Sequence, residues 1–200
     1  MILPYHWDEI AQVVQTVQKG DETMKRILLL MAAGLIFSFS SAGSLYAKEL
    51  VIHVNMVNEH GIGKEIGTVT ASDGQYGLMI VPQLRGLSPG IHGFHVHQNP
   101  NCGPAVKDGK EVAGLAAGGH FDPAGSGRHE GPYGKGHLGD LPALYVGNDG
   151  KASLPLLAPR LKVADLKGHS VMIHAGGDNY SDQPEKLGGG GAREACGVVK

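Results

Sequence analysis

From residue 49 onward, apolar and polar residues alternate in short stretches of the chain. The first stretch covers residues 50–58, and one of its faces carries Leu50, Ile52, Val54 and Met56. The opposite face carries His53 and Asn55. A period of two is typical of a β-strand with one buried face. We therefore predict a first strand over residues 50–58.

Seven more strands are predicted from similar runs bounded by turn residues. Turn signals occur at Asp73-Gly74, at Pro89-Gly90 and at Asn148-Asp149-Gly150, where a hairpin is expected. The predicted strands cover residues 65–71, 76–81, 91–97, 144–146, 151–156, 170–174 and 197–199. Short strands at regular spacing predict an all-β fold, an eight-stranded antiparallel Greek-key barrel or sandwich. We find neither an internal repeat nor a long helix.

Two stretches interrupt this pattern, at residues 98–142 and residues 175–195. Both are rich in glycine, and both contain few large apolar residues. Loops of this length inside a compact domain are uncommon and usually functional. We therefore expect the chemistry of the protein to lie in these two segments.

The first 47 residues predict export. Residues 24–47 begin with Met24, continue with Lys25 and Arg26, and then run through an apolar segment to small residues before Ala47. This order is that of a secretory signal peptide, and the apolar run is too short for a transmembrane anchor. We expect cleavage after Ala47, a mature domain over residues 48–200 and translation from Met24. Residues 1–23 would then be a mis-assigned leader.

Composition narrows the class of protein. Glycine supplies 32 residues without the strict period of collagen, and 42% of the residues are hydrophobic, which is enough for a folded core. The formal net charge of −2 gives no support to nucleic-acid binding. In an exported chain the cysteines Cys102 and Cys196 predict one disulfide, with two free thiols or metal ligands as the alternatives.

Histidines are numerous and unevenly placed. His95 and His97 lie two residues apart in GFHVH, so on a strand their rings share one face while Phe94 and Val96 point to the core. His174 ends another predicted strand and faces the same way. The first long loop adds His120, His129, His137 and Asp140. Histidines combined with one carboxylate are a typical zinc-binding set. His6, His53, His60, His92 and His169 lack partners at ligand spacing and are interpreted as structural or solvated.

The motifs, taken in order, resemble those of bacterial periplasmic copper/zinc superoxide dismutases. They are GFHVH, the following Cys102, GGHFDP, RHEGP, GHLGDLPAL, MIHAGGDN and GGGGAREACGVVK. The resemblance covers essentially all of residues 49–200. It implies the β-barrel fold, an oxidoreductase that dismutes superoxide, and periplasmic localisation.

The same resemblance implies roles for individual residues. The copper ligands would be His95, His97, His120 and His174. The zinc ligands would be His120, His129, His137 and Asp140. His120 would bridge the two ions, Asp178 would orient one histidine of each site, and Arg193 would attract the anion beside the copper. Cys102 and Cys196 would form the family disulfide.

The chief alternative is a periplasmic protein that binds or buffers copper and zinc without turnover. Such a protein would need the ligands but neither Arg193 nor an open copper position, and the presence of Arg193 and Asp178 favours the enzyme. The substrate would be the superoxide anion, with no nucleic acid and no membrane span in the mature form. The sequence leaves monomer and homodimer both open.

Overall fold

The computed structural model describes residues 49–200. The predicted leader at residues 1–23, the predicted signal peptide at residues 24–47 and His6 lie outside the described residues.

The described part of the chain contains twelve strands, and most of them are short. Their bounds are β1 Leu50–Asn58, β2 Gly61–Gly74, β3 Gly77–Arg85, β4 Gly90–His92, β5 Phe94–His97, β6 Ala105–Lys107, β7 Lys110–Val112, β8 Leu144–Val146, β9 Lys151–Ala152, β10 Leu156–Ala158, β11 Ser170–His174 and β12 Arg193–Val198. The one α-helix of residues 49–200, α1, covers Val163–Leu166, and 3-10 turns cover Leu115–Ala117 and Lys186–Gly189. None of the helices in this region has the length and apolar character needed to cross a membrane.

Eight strands form one antiparallel sheet. Its order is β10-β3-β2-β1-β12-β11-β5, and β9 pairs with β3 beside this path. The pair β4 and β8 and the hairpin β6–β7 form two small sheets of their own. The predicted all-β antiparallel class is thus confirmed. Because β5 ends the strand order, the long loops can hydrogen-bond to the backbone of its free side.

The predicted fourth strand, at residues 91–97, is broken at Gly93. β4 pairs with β8, whereas β5 pairs with β11. At the break, Gly93 N donates to Gly176 O and His174 N donates to Gly93 O. The chain therefore changes partner strand within one residue, and a periodic apolar pattern does not reveal such a change.

The predicted hairpin around Asp149 is only half correct. The turn forms, with Gly147 N donating to Lys151 O. However, β8 pairs with β4 and β9 pairs with β3, so the two flanking strands do not pair with each other. The predicted strand at residues 151–156 is likewise two short strands, β9 and β10, and the first long loop contains the unpredicted hairpin β6–β7.

The core lies between the inner faces of the strands. Phe94, Val96 and Ile173 are fully buried there, as are Ile52 and Val54 of β1. Regular alternation therefore gives the correct inner face of β1, β5 and β11. A second, smaller apolar cluster surrounds the two cysteines and includes Val57 and Met172.

Cys102 and Cys196 form a disulfide, as predicted, with their Cα atoms 5.7 Å apart. Both residues are buried. The bond joins the start of the first long loop to β12, which is a central strand of the sheet. It therefore limits how far this loop can move away from the barrel.

Replacing both cysteines by alanine is expected to lower the free energy of unfolding of the metal-loaded protein by about 2–5 kcal/mol, because the unfolded chain is no longer cross-linked. Denaturant unfolding measures the change. Wild-type protein reduced with a thiol serves as the control and should unfold at the same denaturant concentration as the variant. An unchanged midpoint in both samples would contradict the expected role of the bond.

Candidate metal centre

The two histidines of β5 occupy one face of the edge strand. The first long loop returns twice along this strand, forming isolated bridges between His95 and Asp140 and between His97 and His120. These bridges place a ring and a carboxylate from the loop next to the two strand histidines. The loop also covers the strand, so that all four residues of β5 are buried.

A glycine makes this close return possible. Val96 N donates to Gly139 O, while Val96 O and Phe121 O accept bonds from Phe121 N and Gly139 N. A Cβ atom at Gly139 would lie 2.3 Å from Val96 O. Because real Cβ atoms do not approach an oxygen so closely, a side chain here would push the loop away from β5.

The first group of candidate ligands consists of four buried histidines, which are His95, His97, His120 and His174. One nitrogen from each lies within 4.8 Å of the others. His97 Nδ1 donates to Gly118 O, and His174 Nδ1 lies 3.2 Å from Gly191 O. These contacts turn the Nε2 atoms of His97 and His174 toward each other, 3.4 Å apart.

The second group shares one histidine with the first. It consists of His120, His129, His137 and Asp140, again with one atom from each within 4.8 Å of the others. Asp140 Oδ1 lies 3.0 Å from His120 Nδ1, 3.0 Å from His129 Nδ1 and 3.4 Å from His137 Nδ1. His120 therefore has Nδ1 in the second group and Nε2 in the first.

The histidines of both groups carry unpaired buried nitrogens. Within residues 49–200, five buried side-chain polar atoms have no hydrogen-bond partner, and four of them belong to the two groups: His95 Nδ1, His120 Nε2, His129 Nδ1 and His137 Nδ1. Leaving a buried polar group unpaired costs about 1–3 kcal/mol. Metal ions would satisfy these atoms, so the donor set fits two bound cations.

Asp178, from the second long loop, connects the two groups. Its Oδ2 accepts a hydrogen bond from His95 Nε2 at 2.8 Å, and its Oδ1 accepts one from His129 Nε2 at 2.7 Å. Both bonds leave Nδ1 of each ring free to face the group. A carboxylate in this position fixes the ring orientation and makes the opposite nitrogen a better donor.

Burial keeps the first group neutral. It lowers the pKa of His95 to about 3, although the hydrogen bond to Asp178 opposes the shift. It also lowers the pKa of His174 to about 4 and the pKa values of His97 and His120. Neutral imidazoles can bind a metal ion at neutral pH without first losing a proton.

His129 differs from the other rings. Burial would lower its pKa, but the carboxylates of Asp140 and Asp178 outweigh burial and raise the pKa to about 9. In return, the contacts with histidines hold the pKa of both carboxyl groups well below its usual range, against the effect of burial. An ion that enters the second group must therefore displace a proton from His129.

Arg193 is brought to the first group by a β-bulge. Ile173 pairs with Ala195, but His174 pairs with Arg193, so Glu194 is an extra residue in β12. Regular alternation would put Arg193 on the core side with Ala195; the bulge moves it to the side of His174. Its guanidinium donates to Gly114 O and Gly118 O at 2.5 and 2.6 Å.

Glu194, the residue next to Arg193, does not form an ion pair with it. Glu194 Oε2 lies 3.5 Å from His92 Nδ1, and Arg193 forms no ion pair with any residue of the described chain. Gly118 O accepts hydrogen bonds from both Arg193 and His97, which links the cation to the first group. Burial lowers the pKa of Arg193, but a guanidinium stays charged at neutral pH.

Among residues 49–200, the remaining histidines lie outside both groups, as predicted. His92 is buried between Ser88 O and His174 O, and His169 contacts Gln98 O. His53 and His60 are exposed. The sequence analysis missed Asp182, whose carboxylate accepts a hydrogen bond from His129 N across the two long loops. A contact between residues 53 positions apart has no local signal.

Fold and site together define an all-β protein with two candidate metal-binding groups that share the imidazole of His120. Comparisons with known proteins agree with this class. The family profile described as "Copper/zinc superoxide dismutase (SODC)" matches residues 65–199. The chain belongs to the copper/zinc superoxide dismutase family. It is an enzyme that dismutes superoxide with copper and zinc as cofactors.

The chain is similar to several bacterial copper/zinc superoxide dismutases. The chain is 56% identical over 179 residues to "Superoxide dismutase [Cu-Zn] 1" of Salmonella typhimurium, covering 88% of this chain and 99% of the relative. It is 52% identical over 178 residues to the Escherichia coli K12 enzyme, covering 88% and 100%. The solved copper/zinc superoxide dismutase of Brucella abortus superposes with a TM-score of 0.75 at 52% identity, covering 76% of this chain and all of that chain.

The raised pKa of His129 predicts that zinc and copper binding depend differently on pH. As the pH rises from 7 toward 9, the zinc affinity of the metal-free protein should increase about tenfold per pH unit, because one bound proton competes with the ion. Copper affinity should be nearly flat over this range. Calorimetric titrations in buffers of different ionisation enthalpy would measure the released proton. Zinc affinity that does not change with pH would contradict the expectation.

Proposed function

We propose that His95, His97, His120 and His174 hold the copper ion. In the same proposal, His120, His129, His137 and Asp140 hold the zinc ion. The observation that carries both assignments is the set of buried ring nitrogens that lack partners and face one another. His120 would bridge the ions, with Nε2 toward copper and Nδ1 toward zinc.

The metals supply different chemistry. When bound, copper supplies a centre that alternates between two oxidation states, and zinc supplies fixed positive charge without redox chemistry. One superoxide anion is oxidised to dioxygen, and a second one, with two protons, is reduced to hydrogen peroxide. Metal buffering without turnover finds no support in the fold, the site or the comparisons.

In this mechanism His120 would also carry a proton. Its Nδ1 lies 3.0 Å from Asp140 Oδ1, so its Nε2 would be the ring atom that can carry a proton. Asp178 keeps the rings of His95 and His129 in fixed orientations through both changes of charge. Because these side chains are buried, little solvent has to rearrange when the charge changes.

Arg193 is proposed to attract and orient the anionic substrate. Two backbone carbonyls hold its guanidinium, and the charge is not neutralised by a carboxylate of the described chain. Its charge therefore remains available to an anion approaching the first group. Electrostatic steering raises association rates by about 10- to 10³-fold, and superoxide dismutase is a standard example of the effect.

We also propose that the mature enzyme, residues 48–200, acts in the periplasm. The signal-peptide pattern of residues 24–47 supports export. The disulfide between Cys102 and Cys196 supports it independently, because such bonds persist in oxidising compartments. Both a monomer and a homodimer are compatible with this proposal.

Replacing Arg193 by glutamate tests the steering role. The variant Arg193→Glu should keep both metals but react about 10- to 10³-fold more slowly at low ionic strength, because the local charge repels the substrate. Its rate should rise with added salt, whereas the wild-type rate should fall. Cytochrome c reduction at several salt concentrations measures this. Arg193→Lys, as a control, should keep the wild-type sign of the salt dependence.

The bridging role of His120 predicts a difference between two alanine variants. His120→Ala should lose zinc and also change the copper spectrum, because each ion loses a ligand. His129→Ala should lose zinc and keep a copper spectrum close to that of the wild type. Elemental analysis together with visible and electron paramagnetic resonance spectra distinguishes the two. Native copper spectra in His120→Ala would overturn the assignment.

A further inference from the structure

The turn between His129 and His137 leaves no room for side chains at two of its glycines. A Cβ atom at Gly136 would lie 2.3 Å from Arg128 O, and one at Gly134 would lie 2.4 Å from Glu130 Cβ. The chain therefore folds back on itself too closely for side chains at these positions. Apart from His137 N, which donates to Arg128 O, no backbone bond joins the two ends of the turn. Inside the turn, Lys135 N also donates to Glu130 Oε2. The four carbonyls of Gly131, Pro132, Gly136 and His137 nevertheless take their main hydrogen bonds from outside the turn.

Arg160, from a distant part of the sequence, donates these hydrogen bonds to the turn. It follows β10 and lies 23–29 residues from its partners. Its guanidinium donates hydrogen bonds of 2.5–3.2 Å to four backbone oxygens, those of Gly131, Pro132, Gly136 and His137. All four acceptor residues are buried, so water cannot easily replace the guanidinium.

These carbonyl oxygens accept few other hydrogen bonds. Within residues 49–200, no backbone N–H donates to the oxygen of Gly131, Pro132 or Gly136, and His137 O accepts only a long contact of 3.4 Å from Asp140 N. Arg160 itself forms no ion pair within that part of the chain. Its charge is therefore balanced by converging carbonyl dipoles, and the four carbonyls depend on the guanidinium.

We propose that Arg160 is a positioning residue for the zinc site. By fixing the turn that connects His129 to His137, it would hold these two rings in place before the ion arrives. The inference rests on the proposed zinc assignment. It concerns zinc and not copper, because the hydrogen bonds of Arg160 reach neither β5 nor β11, which supply three of the four proposed copper ligands.

A lysine could not replace this arginine fully. The planar guanidinium offers five N–H donors in a fixed fork, and here Nε, Nη1 and Nη2 reach different carbonyls. A lysine ammonium would keep the charge but could reach only part of this set. Arg160→Lys should therefore show a smaller defect than Arg160→Ala, and in the same direction.

The turn has a second support on its other side. Asp182 accepts a hydrogen bond from His129 N, and the ring of Tyr180 lies against Gly131. These contacts come from the second long loop and remain when Arg160 is removed. The expected result is therefore weaker zinc binding without complete loss of the site.

The experiment compares the variants Arg160→Ala and Arg160→Lys with Arg85→Ala, in which an exposed arginine at the end of β3 is removed. Chelator competition measures zinc affinity, the visible spectrum of cobalt(II) bound in place of zinc reports ligand geometry, and copper content is measured in parallel. We expect Arg160→Ala to weaken zinc binding about 10- to 100-fold, as loss of an outer-shell partner typically does. Copper retention and the Arg85→Ala control should match the wild type.

Chemical rescue separates positioning from a general loss of stability. Methylguanidinium at non-denaturing concentration should restore part of the zinc affinity and the cobalt spectrum of Arg160→Ala, and should not change the wild type. If Arg160→Ala does not fold, Arg160→Lys provides the comparison of zinc with copper. Unchanged zinc affinity, or equal loss of both metals without rescue, would overturn the role of Arg160. Failure of the wild type itself to bind zinc would instead overturn the proposed zinc assignment.

Discussion

The structure depends on a set of buried imidazole nitrogens that face one another without hydrogen-bond partners. Six histidines and Asp140 are buried at the centre, and four of the ring nitrogens are unpaired. In a chain without cations this arrangement is unfavourable, because buried polar atoms lose their bonds to water. In the proposed site, two metal ions would make ligands of the same atoms. The edge strand, the two long loops and the glycines that let them approach all serve to maintain this arrangement.

The two halves of the centre have different electrostatic environments. Burial dominates around the first group and keeps its rings neutral, whereas two carboxylates dominate around His129 and favour its charged form. Asp178 belongs to both environments through its two oxygens. In the proposed assignment, the neutral group would hold the ion that changes charge, and the group with the carboxylates would hold the ion whose charge is fixed.

Two arginines near this centre are held by the same kind of interaction. Arg193 and Arg160 both donate to backbone carbonyls of the first long loop, and neither has a carboxylate partner in the described chain. In each case backbone dipoles hold the cation without neutralising it. In our proposals, the remaining charge of Arg193 attracts the anionic substrate, and the hydrogen bonds of Arg160 shape the turn that carries His129 and His137.

The sequence by itself determined the elements whose signals are local. The bounds of β1, β8 and β11 follow from alternation, the shared face of His95 and His97 follows from their spacing, and ordered motifs indicated the family. Only the tertiary structure decided the strand break at Gly93, the separate partners of β8 and β9, the bulge that turns Arg193 toward His174, and the reach of Arg160 to the turn. Each of these depends on hydrogen bonds to backbone groups of another segment of the chain, and the local order of apolar and polar residues carries no signal of such bonds.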